Sequence, residues 1–203
     1  MKKIILGLLV LSFILTGCSK TNIIDFDESG DLKVQVLGTD KTFGEKIQIT
    51  TKDQDFKIDV KGMNPWKIEI CNIDGGDLEL AIGVYKESPH HQEKAKRVFL
   101  YNIDYEKKRL QPKIRISRLN NPLEDFIMKD IDENGQDNII ALEKLKDGSY
   151  QLAAYKWTNF SFDRPYASEI FEEKIIFLDK DGRIQVGEEE KNLYLQGGQI
   201  LWK

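Results

Sequence analysis

Oxygen donors stand at alternate positions in the segment Asp130-Ile131-Asp132-Glu133-Asn134-Gly135-Gln136-Asp137-Asn138. Short Asp and Asn side chains accept hydrogen bonds from backbone amides two residues on, and Gly adopts the positive φ that such a bend needs. Carboxylates spaced this way also converge on a hard cation, and calcium takes six to eight oxygens. The candidate donors are Asp130, Asp132, Asn134, the Gln136 carbonyl and Asn138. Asn replaces Asp at two of these places, which lowers the negative charge and weakens any affinity. A metal-free turn held by its own side chains remains open beside the calcium loop. A related bend, Asn72-Ile73-Asp74-Gly75-Gly76-Asp77, is one residue shorter and reads as a turn without metal. Asp179-Lys180-Asp181-Gly182 begins similarly but runs at once into Arg183 and Ile184, as an ordinary hairpin turn does.

Other chemistry-bearing residues are sparse. The two histidines adjoin as His90-His91, and adjacent side chains point apart, so an exposed loop pair is expected despite nearby Glu93. The chain has no Gly-x-Ser-x-Gly elbow, no His-Glu-x-x-His helix and no Gly-rich phosphate loop. Among 34 acidic side chains some pairs will meet by chance. Glycosidase chemistry needs two carboxylates at a set separation with one pKa raised. Arg97 and Arg118 read as partners of sheet carboxylates. Cys71, in Ile68-Glu69-Ile70-Cys71, reads as a small buried hydrophobe. Two cysteines exclude a disulfide framework or a cysteine-built zinc site.

At the N-terminus, Lys2 and Lys3 precede an apolar run over 4–15 that ends in Thr16-Gly17-Cys18-Ser19. The run is too short to cross a bilayer, which takes about 20 apolar residues, and suits the hydrophobic region of a signal peptide. Leu15-Thr16-Gly17-Cys18 resembles the bacterial lipobox. That resemblance implies cleavage after residue 17, acylation of Cys18 with diacylglycerol, and a body held at the extracytoplasmic face of the cell membrane. Residues 1–17 would be the leader and 18–30 the lipidated cysteine and tether. Residues 31–203 would form a single domain.

The elements that position the acidic bends are strands. Segments 32–37, 46–50 and 56–60 alternate apolar with polar, the period of half-buried strands. Strand-like runs follow at 66–71, 78–85, 97–103, 113–117, 139–142, 150–157 and 171–178, and the tail over 192–202 adds two short ones. Asn64-Pro65, Asp74-Gly75, Asn134-Gly135, Asp147-Gly148 and Asp181-Gly182 punctuate them. Segment 88–96, with Pro89 and many polar residues, reads as a loop. No helical period is sustained, so the fold class is all-β.

Residues 70–82 and 128–140 repeat one pattern, a strand, an acidic bend and a second strand, with Tyr101 and Tyr155 at matching places further on. Self-similarity at such a period marks stacked β units. The pattern resembles FG-GAP or VCBS repeats, with units at about 66–117 and 123–166, and its bend matches that class's calcium loop. The resemblance implies four-stranded blades of a β-propeller. A seven-bladed ring needs roughly 300 residues at about 40–45 per blade, and the chain has 203. A small or incomplete β-propeller-like stack of antiparallel sheets is therefore expected, with a β-sandwich as the alternative.

A formal charge of −4, with 30 basic residues, argues against nucleic acid, which requires a clustered positive excess. Apolar residues at 40% exclude a disordered chain. The aromatic set Trp66, Tyr85, Tyr101, Tyr105, Tyr155, Trp157, Phe160, Phe162 and Tyr166 reads chiefly as core, with exposed rings suited to sugar or protein recognition. The function expected is a membrane-anchored, non-catalytic binding or scaffold module with a protein or glycan partner. A secreted carboxylate-based hydrolase acting on envelope glycans is the alternative.

Overall fold

Each Asp-Gly bend turns the chain back beside the strand it has just left, so pairing is local and builds meanders. A computed structural model describes residues 21–203, and Cys18 and the leader lie outside them. The first meander comprises β1 (Asn22–Ser29), β2 (Leu32–Gly38), β3 (Lys46–Thr50) and β4 (Asp55–Asp59). The second holds β5 (Pro65–Cys71), β6 (Glu79–Ser88), β7 (His91–Asp104) and β8 (Arg109–Arg115). The third holds β9 (Leu123–Lys129), β10 (Asn138–Lys144), β11 (Tyr150–Trp157) and β12 (Phe162–Ala167). The fourth holds β13 (Ile176–Phe177), β14 (Arg183–Val186), β15 (Glu189–Gln196) and β16 (Gln199–Trp202). The fold is all-β, a stack of antiparallel sheets. A single parallel bridge, Ala167 with Gln199, joins the last two meanders into one eight-stranded sheet. That sheet curls until β9 and β13, at its two ends, come into contact.

Three apolar layers fill the seams. Val34, Val36, Ile47 and Ile49 of the first meander meet Ile68, Leu80, Ile82 and Phe99 of the second. Ala81, Val98 and Leu100 point the other way, onto Phe126, Ile139, Ala141 and Ala153 of the third. Ile140, Leu142, Leu152 and Ala154 then face Ile184, Leu193 and Ile200. Strands covered on both faces read as continuous apolar runs, as in β6 and β10, whereas β2, covered on one face, alternates. At Gly83 the second and third meanders approach closely enough for Trp66 and Phe126 to meet edge-on, with ring centroids 5.8 Å apart.

Two expectations are corrected. Residues 22–29, assigned to the tether, form β1, because Ile24 packs on the first core while Asp25 and Asp27 bind the neighbouring strand. Segment 88–96, read as a loop, closes the β6–β7 hairpin, with Ser88 paired to His91 and Lys86 to Ala95. Its polar residues lie on the exposed end of a long ribbon, where burial leaves no apolar signature.

Candidate functional site

The two repeated bends occupy equivalent places. Cys71 pairs with Glu79 to close the β5–β6 bend, and Lys129 pairs with Asn138 to close the β9–β10 bend. They touch: the Asp137 amide donates to the Asn72 carbonyl at 2.6 Å, and the Asn72 amide donates to Asp137 Oδ2 at 2.8 Å. The β1–β2 and β13–β14 bends complete the set, each with glycine at positive φ, Gly30 and Gly182.

Within the second bend, Asp130 accepts the amides of Asn134 and Gly135 at 3.0 and 2.7 Å. Asn134 Nδ2 donates to Asp132 Oδ1, and Lys156 Nζ lies 2.6 Å from Asp132 Oδ2. Asn134 Oδ1 accepts the Gln136 amide. Asn138 is 1% exposed, and neither atom of its carboxamide finds a partner. Among the described residues no group of three or more His, Cys, Asp or Glu side chains is arranged to hold a metal ion. Lys156 already pairs with Asp132, one of the two carboxylates among the candidate calcium donors. A calcium ion here would require Lys156 to withdraw from Asp132.

The other bends carry cations of the same kind. Lys113 Nζ bridges Asp74, at 2.5 Å, and the buried Glu79. Lys180 Nζ lies 3.0 Å from Asp27 Oδ1, and Lys129 Nζ donates to the Asp181 carbonyl. Hydrogen bonding to Lys113 holds the Asp74 carboxyl below the usual range.

Acidic side chains also tie the innermost strands together. Asp25 and Asp27 of β1 accept the Ile68 and Ile70 amides of β5 at 2.8 and 2.7 Å. Glu69 of β5 accepts the Met128 amide of β9 at 2.8 Å. Lys67 sits among Glu69 at 3.4 Å, Asp125 at 3.1 Å and the faces of Phe126 and Phe177. Burial pushes the Glu69 carboxyl up to about 7, the Lys67 charge offsetting only part of this. Burial pulls Lys67 down, but Asp125 and Glu69 together outweigh it and hold the ammonium above its ordinary value.

At the opposite end of the strands, β7 and the connector over 116–122 enclose a cleft of about 490 Å³. The connector is pinned from the third meander. Buried Glu143 accepts from the Asn121 amide and carboxamide and from the Tyr155 hydroxyl, which itself accepts the Asn120 amide. Arg97, 3% exposed, enters the cleft wall. Its Nε donates to the Lys86 carbonyl, and its Nη2 to the His91 and Glu93 carbonyls and to His91 Nδ1. Among the described residues it meets no carboxylate, contrary to the pairing expected from sequence. Arg118, also expected to be paired, is exposed on the same cleft with neither an ion pair nor a hydrogen bond among those residues. Lys96 lies over the Trp66 ring, 4.6 Å from its centroid, and donates to the Glu124 carbonyl. Burial pushes both Lys96 and Arg97 below their ordinary values.

Most of the aromatic set lies in or against the cores, but Phe160 is 91% exposed. It rims a second hollow of about 340 Å³ that shares Ile116, Arg118 and Leu119 with the first. Cys71 is buried and desolvation pushes its thiol up, as a packing residue requires. His90 and His91 lie at the hairpin tip, with His91 turned onto Arg97. Sequence reasoning missed the Lys67 cluster, whose members lie on different meanders, and the cleft, whose walls are brought together only when the 116–122 connector folds back on β7. Comparison of the chain with family models, curated proteins and solved structures found no match.

Proposed function

We propose that the chain is a membrane-anchored extracytoplasmic lipoprotein whose β-sheet body is a non-catalytic binding or scaffold module. The anchor rests on the leader pattern and Cys18, which lie outside the described residues. The observation that carries the binding reading is the contrast between the two ends of the strands. At the acidic end, carboxylates and lysines are consumed in ties between strands and bends. At the other end a cleft presents cations with no carboxylate partner beside an exposed ring. A calcium ion at Asp130–Asn138 enters this reading only in competition with Lys156.

The hydrolase reading draws on one observation, the raised pKa of Glu69, which shares Lys67 with the Asp125 carboxylate. A general acid must face its substrate, however, and Glu69 spends one oxygen on the Met128 amide and the other near Lys67. Incubation of the full-length protein in detergent with isolated envelope polysaccharide separates the two. Retention of the protein without new reducing ends is expected. Reducing ends that vanish in Glu69→Gln would establish the hydrolase instead. For the anchor, Cys18→Ser should leave the precursor uncleaved and unlipidated, and normal membrane anchoring of that variant would refute it.

A further inference from the structure

Burying a guanidinium without a counter-charge is costly unless every donor is satisfied. Arg97 meets only carbonyls and an imidazole nitrogen, and its Nη1 makes no hydrogen bond among the described residues although the side chain lines an open cleft. Lys96 and Arg118 line the same cleft, while its one carboxylate, Glu93, is turned outward with its side chain 85% exposed and lies 3.7 Å from His91. Positive charge therefore gathers in a concave, partly apolar site on a protein whose net charge is negative. Planar guanidinium groups match carboxylate and phosphate oxygens, and charge-assisted hydrogen bonds are the strong ones. Leucine and isoleucine side chains of the connector line the floor between this cleft and the hollow below Phe160.

We propose that the cleft between β7 and the 116–122 connector binds the oxyanion, carboxylate or phosphate, of a ligand whose body extends over the adjoining hollow toward Phe160. The proposal rests on the reading of the body as a binding module and names the chemistry of its ligand. Arg97 Nη1 and Arg118 grip the oxyanion, Lys96 adds charge, and the Phe160 ring offers a flat apolar face to the body. Arg97, fixed by four hydrogen bonds, is in place before the ligand arrives, so little ordering is spent on binding.

The test follows the guanidinium N–H signals of the arginines in the isotope-labelled full-length protein, in detergent and at constant ionic strength. Inorganic phosphate, glucuronate and neutral glucose are the probes. A saturable movement of the Arg97 signal with phosphate or glucuronate, absent with glucose, is expected, and the more effective anion names the source of the oxyanion. Arg118→Gln, at an exposed site outside every core, should weaken that response about tenfold without lowering Tm. No saturable movement up to about 100 mM of either anion, an equal movement with glucose, or an unchanged response in Arg118→Gln would each overturn the site. Retention on envelope polysaccharide without an anion response would sink the oxyanion site alone, leaving the binding module standing. An anion response without retention would support the site and remove the glycan as partner.

Discussion

Asp27 on β1 and Lys180 in the β13–β14 bend are 153 residues apart in sequence, yet Lys180 Nζ lies 3.0 Å from Asp27 Oδ1. The first and last meanders face each other across a hollow of about 510 Å³, and this pair bridges it. Asp27 uses its other oxygen to accept the Ile70 amide. The two partners are therefore unequal. Lys180→Met removes a half-exposed ion pair and should cost under about 1 kcal/mol. Asp27→Ala also strands the Ile70 amide and should cost about 1–3 kcal/mol more. Urea unfolding of both variants checks the order, and equal losses would contradict it.

Glu69 makes stability depend on pH. Its carboxyl is raised from 4.5 to about 7 in the folded chain. Between those values the folded state binds more protons than the unfolded state, so this contribution is full below about pH 4.5 and is lost as pH rises through 7. Glu69→Gln removes the titration. Its stability relative to wild type should therefore improve across that window by up to about 3 kcal/mol. Unfolding midpoints at a series of pH values give the difference, and a flat difference would refute the assignment.

Lys156 stands in the way of calcium at the β9–β10 bend. Millimolar calcium should leave the Tm of the wild-type protein unchanged. In Lys156→Met, with Asp132 freed, calcium should raise it by several degrees. Adding Asp132→Ala to that variant should abolish the gain. Thermal melts with calcium and with chelator decide it, and a wild-type gain as large as that of the variant would show that Lys156 is no barrier.

Gly83 has no room for a side chain. A Cβ there would stand 2.9 Å from Phe126 Cε1 and 2.9 Å from Trp66 Cε2. Gly83→Ala should destabilise by about 1–3 kcal/mol, because the aromatic pair filling the seam must shift. Denaturant unfolding measures the cost, and a neutral variant would mean that the seam yields more readily than a close-packed interior does.

Much of the fold is legible in the sequence because meander pairing joins neighbours along the chain. Alternation in 32–37 and the unbroken runs in 78–85 and 139–142 report how many faces of a strand are covered. Two of the four bends between first and second strands declared themselves as copies. The β1–β2 bend carried its own signal, Gly30-Asp31-Leu32 matching Gly76-Asp77-Leu78, but it was hidden by assigning 18–30 to a tether. The β6–β7 ribbon was hidden because its tip buries little. For the candidate sites the position is different. The donors of the Asp130–Asn138 bend were legible, whereas Lys156, which occupies Asp132, was not.

By itself, then, the order of residues determined most of the strands, two of the acidic bends and the leader pattern around Cys18, since these depend on spacing over a few residues. Only the tertiary structure decided which charges meet. Lys67 on Asp125 and Lys180 on Asp27 both depend on how separate meanders stack. A one-residue change of register turns a strand's side chains to the opposite face. Charge partners between sheets are therefore set by packing, which no local pattern encodes.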